Sequence, residues 1–397
     1  MVWAWVVGPC SPGVDAMPLE RDRSPSVLQD KGVRFEPDGI CIVTGGAGFI
    51  GCAISEGLVQ RFAQVVVLDN LLCQVHATRQ RPAVLAHGTD LVVADVTASA
   101  TWDSLLSRII RPSCVVHLAA ETGTGQSLTE ASRHTLVNVV GTSEMLDAFV
   151  RHGIVPRRFV LASSRAVYGE GAWRDLAGKL TYPGQRTREQ LGRGEWDFAG
   201  LQPVPSAASA TWPKPVSIYG ATKLAQEHIL SAWCASFGST LAILRLQNVY
   251  GPGQSLTNPY TGILPLFCQI AASQKSIPLY EDGMMRRDFI LIDDVAGAIL
   301  RAVDAPEVPA TPVDVGTGRS TTITEVARQI ATLYDAPAPH LCGEFRLGDV
   351  RHASCVLDEG NSFGWRPRFG IEEGMPHLVQ WINGRQSVAR EADGVPY

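Results

Sequence analysis

The 397-residue chain is 45% hydrophobic and 18% charged, enough material for one large α/β domain and a smaller lobe. Its net charge of −5 offers no basic footprint for nucleic acid, and no run approaches the roughly 20 apolar residues a membrane helix needs. Nine cysteines form no C-x-x-C pair and no cluster with histidine at metal spacing, so no metal site is expected. Cys41, Cys52, Cys114, Cys234 and Cys268 lie in apolar segments and read as small buried hydrophobes in a reducing compartment.

The opening Met1-Val2-Trp3-Ala4-Trp5-Val6-Val7 is apolar but stops at Gly8-Pro9 and has no basic residue before it. It does not read as a signal peptide, and a cytoplasmic location is expected. Residues 1–38 are rich in Pro, Ser and charge and are expected to be a disordered extension, with Met17 as an alternative start. The first ordered stretch is Ile40-Cys41-Ile42-Val43-Thr44-Gly45-Gly46-Ala47-Gly48-Phe49-Ile50-Gly51. A β-branched run ends in a glycine turn, and Phe49, Ile50, Ala53, Ile54, Leu58 and Val59 then follow at helix spacing. Strand, glycine turn and helix form a cradle for a nucleotide pyrophosphate. The backbone comes close where side chains are missing, and the helix start offers free N–H groups and the positive end of its dipole.

The run Val65-Val66-Val67-Leu68 ends in Asp69, about twenty residues past the last glycine. A carboxylate there accepts hydrogen bonds from a ribose 2′-OH and repels a 2′-phosphate, which selects NAD over NADP. Leu91-Val92-Val93-Ala94 ends in Asp95-Val96, and Trp102 to Ile110 has helix spacing. Cys114-Val115-Val116-His117-Leu118 ends in Ala119-Ala120, small residues that let a flat ring lie near the backbone; His117 reads as a packed core histidine. A helix is expected over Thr129 to Arg151, with Asn138 in its middle. Arg158 to Ala162 is a fifth strand and ends in Ser163-Ser164.

Strands alternating with helices over Ile40 to Ala162 predict a doubly wound parallel sheet, an α/β Rossmann fold. Gly45, Asp69, Asp95, Ala119 and Ser164 all fall at the carboxyl ends of its strands, where such sheets bind ligands. Residues 170–216 break the alternation and read as a long insertion, a lid or a partner surface. Tyr219 and Lys223 then share one helix face, where an ammonium beside a phenol is expected to lower its pKa and make it a proton acceptor. Leu241 to Leu246 is the last strand of the large domain and leads into Asn248. The division expected is a dinucleotide domain over 39–252, a smaller α+β substrate lobe over 253–384 with some return to the large domain, and a tail over 385–397. Asp293-Asp294 reads as a capped helix start, and Arg346, Arg351 and Arg366 are scattered through the end.

Jointly these motifs resemble an extended short-chain dehydrogenase/reductase of the nucleotide-sugar epimerase/dehydratase kind, over about Ile40 to Ile382. The resemblance rests on Thr44 to Gly51, Asp69-Asn70, Asp95-Val96, His117 to Ala120, Asn138, Ser163-Ser164, Tyr219-x-x-x-Lys223 and Arg287-Asp288. It implies that Ser164, Tyr219 and Lys223 are catalytic. It also implies that Gly45, Gly48, Phe49, Ile50, Gly51, Asp69, Asn70, Asp95, Val96, Leu118, Ala119, Ala120 and Asn138 join Tyr219 and Lys223 in holding NAD. Thr122, Ser164, Asn248, Arg287 and Arg346 are implied as contacts to a dTDP- or UDP-hexose. The helices Thr129–Arg151 and Gly220–Phe237 are implied as a four-helix homodimer interface.

Dehydratases of the family carry an Asp-Glu pair just after the catalytic hydroxyl residue. Here Arg165 and Ala166 stand there, so dehydration is not expected. Glu121 to Ser127 and Ser255 to Gly262 are similar to a subgroup that includes dTDP-L-rhamnose 4-epimerases. The expected activity is thus NAD-dependent inversion at C4 of a nucleotide-linked hexose through a 4-keto intermediate, with a dTDP-6-deoxyhexose favoured. An apolar neighbourhood at Leu256, Ile263 and Leu264 would suit a C6 methyl. The alternatives are a nucleotide-sugar 4-ketoreductase and a non-catalytic NAD-binding sensor or scaffold.

Overall fold

The apolar runs of the first half are hydrophobic on both faces, so they can only sit inside a sheet covered by helices on each side. The computed structural model describes residues 39–392 apart from 77, 110, 257–261 and 359–361. The expected extension over 1–38 lies outside the described residues, as does the middle of the Ser255 to Gly262 motif. Seven strands form one sheet: β1 (Ile40–Thr44), β2 (Gln64–Asp69), β3 (Thr89–Val93), β4 (Pro112–His117), β5 (Arg158–Ser164), β6 (Thr240–Leu246) and β7 (Val313–Val315). Their order is β7-β6-β5-β4-β1-β2-β3 and every pairing is parallel. The order reverses between β1 and β4, which opens a crevice at the carboxyl ends of those strands.

The two-residue period of the strands sorts the core into two layers. Val43, Val65, Val67, Val116 and Val160 face one side, against Ile54 and Leu58 of α1 (Phe49–Val59) and Val295, Ile299 and Ala302 of a second helix. Ile42, Val66, Leu68, Val115 and Leu161 face the other, against Trp102, Phe149 and Leu230. Each such aliphatic side chain contributes about 1.5–3 kcal/mol when taken fully out of water. A separate cluster that includes Leu264, Phe267, Ile277, Phe289, Val326, Ile330 and Leu378 forms the core of the smaller lobe. Among the described residues no helix is long and apolar enough to cross a membrane.

Three features differ from the sequence expectation. The helix expected at Thr129 begins at Ala131 and is interrupted by a π-helical turn, Leu136–Val140, before running on as Gly141–Arg151. The long helix α2 (Ile218–Phe237) does form as expected, opened by the Ser217 hydroxyl accepting from the Gly220 N–H at 3.0 Å and closed by Gly238 at φ 76°. Past residue 253, α3 (Ile292–Asp304) packs beside α1 through an Arg61–Asp304 ion pair at 2.9 Å and β7 extends the large sheet, a return that the sequence division allowed for. α3 has no side-chain cap; instead the Asp294 carboxylate accepts from the backbone N–H groups of Arg368 and Phe369 at 2.9 and 3.0 Å. The last helix, α4 (Ile371–Ala392), continues past Gly384, where a tail was expected.

Residues 170–216 are ordered by long-range charge rather than by local pattern. Trp173–Asp175 is the middle strand of a small antiparallel sheet with Leu180–Thr181 and Leu201–Pro203. Arg186 donates to Glu281 at 2.8 and 2.9 Å and to the Asp349 carbonyl at 2.9 Å. Arg351 donates to Glu281, Asp282 and Asp197, and its backbone N–H to the Glu170 carboxylate at 2.9 Å. Arg186, Glu170, Glu281 and Arg351 are all 2% exposed or less at the side chain, so the segment is pinned to the second lobe by a buried ion network. Removing one member of such a network strands its partners. Arg186→Met should lower unfolding stability by about 3 kcal/mol or more, read from urea denaturation. A loss below about 1 kcal/mol would mean the network does not anchor the segment.

Candidate active site

The turn after β1 meets the end of β4 with no space for a side chain. Gly45 has φ 65°, and a Cβ there would stand 2.7 Å from the Ala119 nitrogen. Gly48 is the N-cap of α1, and a Cβ on Gly51 would stand 2.3 Å from the Gly46 carbonyl oxygen, so only glycine lets the first helix turn close onto the loop. The Asp69 carboxylate accepts from the Ala47 N–H at 3.0 Å and the Leu71 N–H at 2.9 Å, which ties the end of β2 to this turn. Gly45, Gly48, Phe49, Ile50, Gly51, Asp69, Asn70, Val96, Leu118, Ala119 and Ala120 line one cavity of about 1490 Å³. Ser164, Tyr219, Lys223, Thr122, Asn248 and Arg287 line the same cavity.

Three expected contacts are placed elsewhere. Asp95 lies outside the cavity wall: one oxygen accepts from Asn70 Nδ2 at 3.0 Å, the other from the Thr97 N–H at 2.9 Å and its hydroxyl at 2.7 Å. Partial desolvation pushes this carboxyl up, but those three donors outweigh it and hold it below its ordinary value. Asp95 therefore braces Asn70, and the neighbouring Val96 faces the cavity. Asn138 is fully buried in the π turn and does not reach the cavity. Its Oδ1 accepts from the Glu121 N–H at 2.7 Å while its Nδ2 donates to the Glu121 carbonyl at 3.0 Å and the Thr222 hydroxyl at 2.9 Å. It clamps the strand end that forms the wall. Arg346 is exposed, its guanidinium stacked over Tyr280 at 4.9 Å, and it too is outside the cavity. Arg351 is saturated by its acidic partners and not available to a phosphate.

The three residues expected to be catalytic come from β5 and α2. Ser164 ends β5, where its Oγ accepts from the Ala166 N–H at 3.1 Å, and it stands near enough to the Tyr219 phenol to favour its ionised form. Burial raises the Tyr219 pKa, opposed by the Ser164 hydrogen bond and the Arg165 charge. The Lys223 ammonium donates to Gln226 Oε1 at 2.7 Å, and burial brings its pKa down to about 7 against the opposing pull of Glu227. The influences on the phenol are thus burial, Ser164 and Arg165; the lowering by Lys223 that the sequence predicts is not among them. His117 is the packed histidine expected, its ring between the Thr44 and Thr142 hydroxyls at 2.7 and 2.9 Å, with burial lowering its pKa to about 3.

The cavity also carries positive charge. Arg287 lines it with its guanidinium 3.9 Å from Asp349, and burial lowers its pKa. Arg165, in the position where dehydratases carry an acid, lines it too; it donates to the Gly169 carbonyl at 2.8 Å. Burial first, then the nearby Arg287 charge, brings Arg165 down to about 10. Sequence reading recorded Arg165 only as a missing acid, and it missed Trp381 and Arg385 of α4, which also line the cavity. No motif marks those two; only the fold of the last helix brings them there. Leu256 lines the cavity as expected, but Leu264 is buried in the second-lobe core.

The residues present suit a nicotinamide dinucleotide. The glycine turn leaves room at the helix start for a pyrophosphate, and the Asp69 carboxylate stands at the end of the neighbouring strand. Arg81 also lines the cavity there, but its guanidinium is spent on the carbonyls of Leu85, Ala86 and Thr89. It therefore does not stand ready for a 2′-phosphate.

Comparison with known proteins places the chain among nucleotide-sugar epimerases by similarity. The chain is 56% identical over 342 residues to a dTDP-L-rhamnose 4-epimerase of Burkholderia thailandensis, spanning 86% of this chain and 94% of that protein. Among solved structures, it is similar to the Thermus thermophilus UDP-glucose 4-epimerase in complex with NAD, at TM-score 0.66 and 28% identity, covering 87% of this chain and 99% of the other. The fold is also shared by a Thermotoga maritima UDP-glucose 4-epimerase solved with UDP-glucose, at TM-score 0.72 and 24% identity, covering 87% and 99%. The sequence model of the NAD dependent epimerase/dehydratase family matches residues 41–316. The chain belongs to the NAD-dependent epimerase/dehydratase family.

Proposed function

We propose that the protein inverts C4 of a dTDP-linked 6-deoxyhexose, with dTDP-L-rhamnose as the substrate or product. The observation that carries this reading is the 56% identity to the Burkholderia dTDP-L-rhamnose 4-epimerase across nearly the full length of both chains. The chemistry of the cavity supports it. Bound NAD⁺ supplies the hydride acceptor and later the donor. Tyr219 takes the C4 hydroxyl proton, and the Ser164 hydroxyl, which lines the same cavity, donates to that oxygen as charge builds on it. Lys223 holds the nicotinamide ribose. The resulting 4-ketosugar is planar at C4 and must present its other face before hydride returns. Arg287, with Asn248 beside it on the wall, anchors the diphosphate while the sugar turns. With Arg165 and Ala166 after Ser164, no side chain there serves as the acid or base of water elimination.

We further propose that two copies pair through the helical face over 131–151 and α2. Leu136, Val140 and Phe237 are 49%, 39% and 44% exposed on these helices, and apolar surface of this kind is what a helix-bundle interface would cover. Sedimentation of the pure protein should give a dimer, and Leu136→Glu with Val140→Glu should shift it to a monomer. A monomeric unmodified protein would refute the pairing.

The catalytic reading is tested with a panel of dTDP-, UDP- and GDP-hexoses. The protein should interconvert dTDP-L-rhamnose and its C4 epimer without added NADH, and should make no 4-keto-6-deoxy product from dTDP-glucose. Tyr219→Phe keeps the ring and should retain NAD while losing about 10² to 10⁴ in rate. A strict requirement for stoichiometric NADH, or near-normal turnover by Tyr219→Phe, would overturn the assignment.

A further inference from the structure

A polar clasp joins two banks of the cofactor cavity. One bank is the turn that follows β2. Asn70 Oδ1 accepts from the Leu72 N–H at 3.1 Å, and the Leu72 carbonyl accepts from the Val75 and His76 N–H groups, both at 2.9 Å. This folds the chain back so that Leu72, Val75 and His76 line the cavity while Gln74 does not. The other bank follows β4. Glu121 and Thr122 line the cavity, and the short helices Thr124–Ser127 and Ala131–Thr135 carry Gln126 and Arg133 behind them.

The banks meet side chain to side chain. Gln74 Nε2 donates to Gln126 Oε1 at 2.9 Å, and Gln126 Nε2 donates back to Gln74 Oε1 at 3.3 Å. Arg133 donates to the same Gln74 oxygen at 3.1 Å, and its guanidinium is held by Glu121 at 2.9 Å and Glu130 at 2.8 Å. Gln126 Nε2 also donates to Glu130 at 3.0 Å. One orientation of each amide satisfies all of these contacts. The Arg133 and Glu130 side chains are 33% and 39% exposed. The clasp therefore has solvent on one side and cavity-lining residues on the other.

β1 lies between β2 and β4 in the sheet, so the clasp bridges two strand spacings, about 10 Å. A dinucleotide laid from Asp69 to Tyr219 must cross the same two strands, because Asp69 ends β2 and Ser164 and Tyr219 stand beyond β4. We infer that the clasp is a retaining strap for NAD: Gln74, Gln126 and Arg133 close the solvent side of the cavity along the cofactor and must part before it leaves. This inference rests on the binding of NAD and not on which sugar is turned over. An epimerase gains from such a strap, since a cofactor lost in mid-cycle carries the hydride away with it.

The test follows exchange of bound NAD for labelled NAD in the loaded protein, timed by rapid filtration with no sugar present. Gln74→Met keeps the length of the side chain and removes its part of the clasp. It should release NAD about tenfold or more faster than the unmodified protein. Gln126→Met should do the same, and the double variant should be no faster than the faster single one, because both changes remove one shared contact. Thermal midpoints are read alongside. An unchanged release rate in Gln74→Met would overturn the strap. A double variant whose acceleration is the product of the two single ones would also overturn it, because the two residues would then act separately. If Gln126→Met does not fold, the Gln74→Met rate decides the matter. The exchange needs no sugar, so failure of the strap and failure of the C4 reading are separate results.

Discussion

The rest of the site depends on one close approach, the turn after β1 lying against the end of β4. A Cβ on Gly45 would strike the Ala119 nitrogen at 2.7 Å, so the two strand ends touch backbone to backbone. That contact is held from behind by Thr44, His117, Thr142 and Asn138, and the same buried groups reach Lys223 through Gln226. The cofactor cradle and the catalytic helix are therefore one hydrogen-bonded unit. A fully satisfied buried network of this kind is rigid, and leaving any member unpaired costs about 1–3 kcal/mol. Rigidity here is useful, because the reacting groups must meet a hydroxyl within hydrogen-bond reach.

Burial sets the charges in the cavity. It weakens Lys223 to a pKa of about 7 and raises Tyr219. Arg165 and Arg287 line the same cavity, and Arg287 faces Asp349. An anchor on the diphosphate with a loose hold on the sugar is what a reaction needs when its intermediate must turn over. The insertion over 170–216 contributes by fixing Asp349. Arg186 grips the Asp349 carbonyl at 2.9 Å, and Asp349 faces Arg287.

Much of this was legible in the sequence. The sheet strands announce themselves as apolar β-branched runs, and Gly45, Asp69, Ala119 and Ser164 fall at their carboxyl ends. Tyr219 and Lys223 follow from helix spacing. Other parts were not legible for physical reasons. Asn138 is polar within a helical pattern, and nothing local says that a π turn buries it against Glu121. Residues 170–216 have no period because their order comes from partners far along the chain, such as Glu281, 95 residues from Arg186. Which arginine faces the cavity is likewise a tertiary fact: Arg346 stacks on Tyr280, while Arg385 arrives on a helix expected to be tail. Helix spacing also gives no sign of the burial that brings Lys223 down to about 7.

The central claim is that one bound cofactor takes hydride from C4 and returns it to the opposite face of the same carbon. The most direct test uses dTDP-L-rhamnose deuterated at C4, with the product analysed by mass spectrometry and NMR. The account predicts that the epimer carries the deuterium at C4 and that none appears in solvent. Loss of the label to water would contradict it.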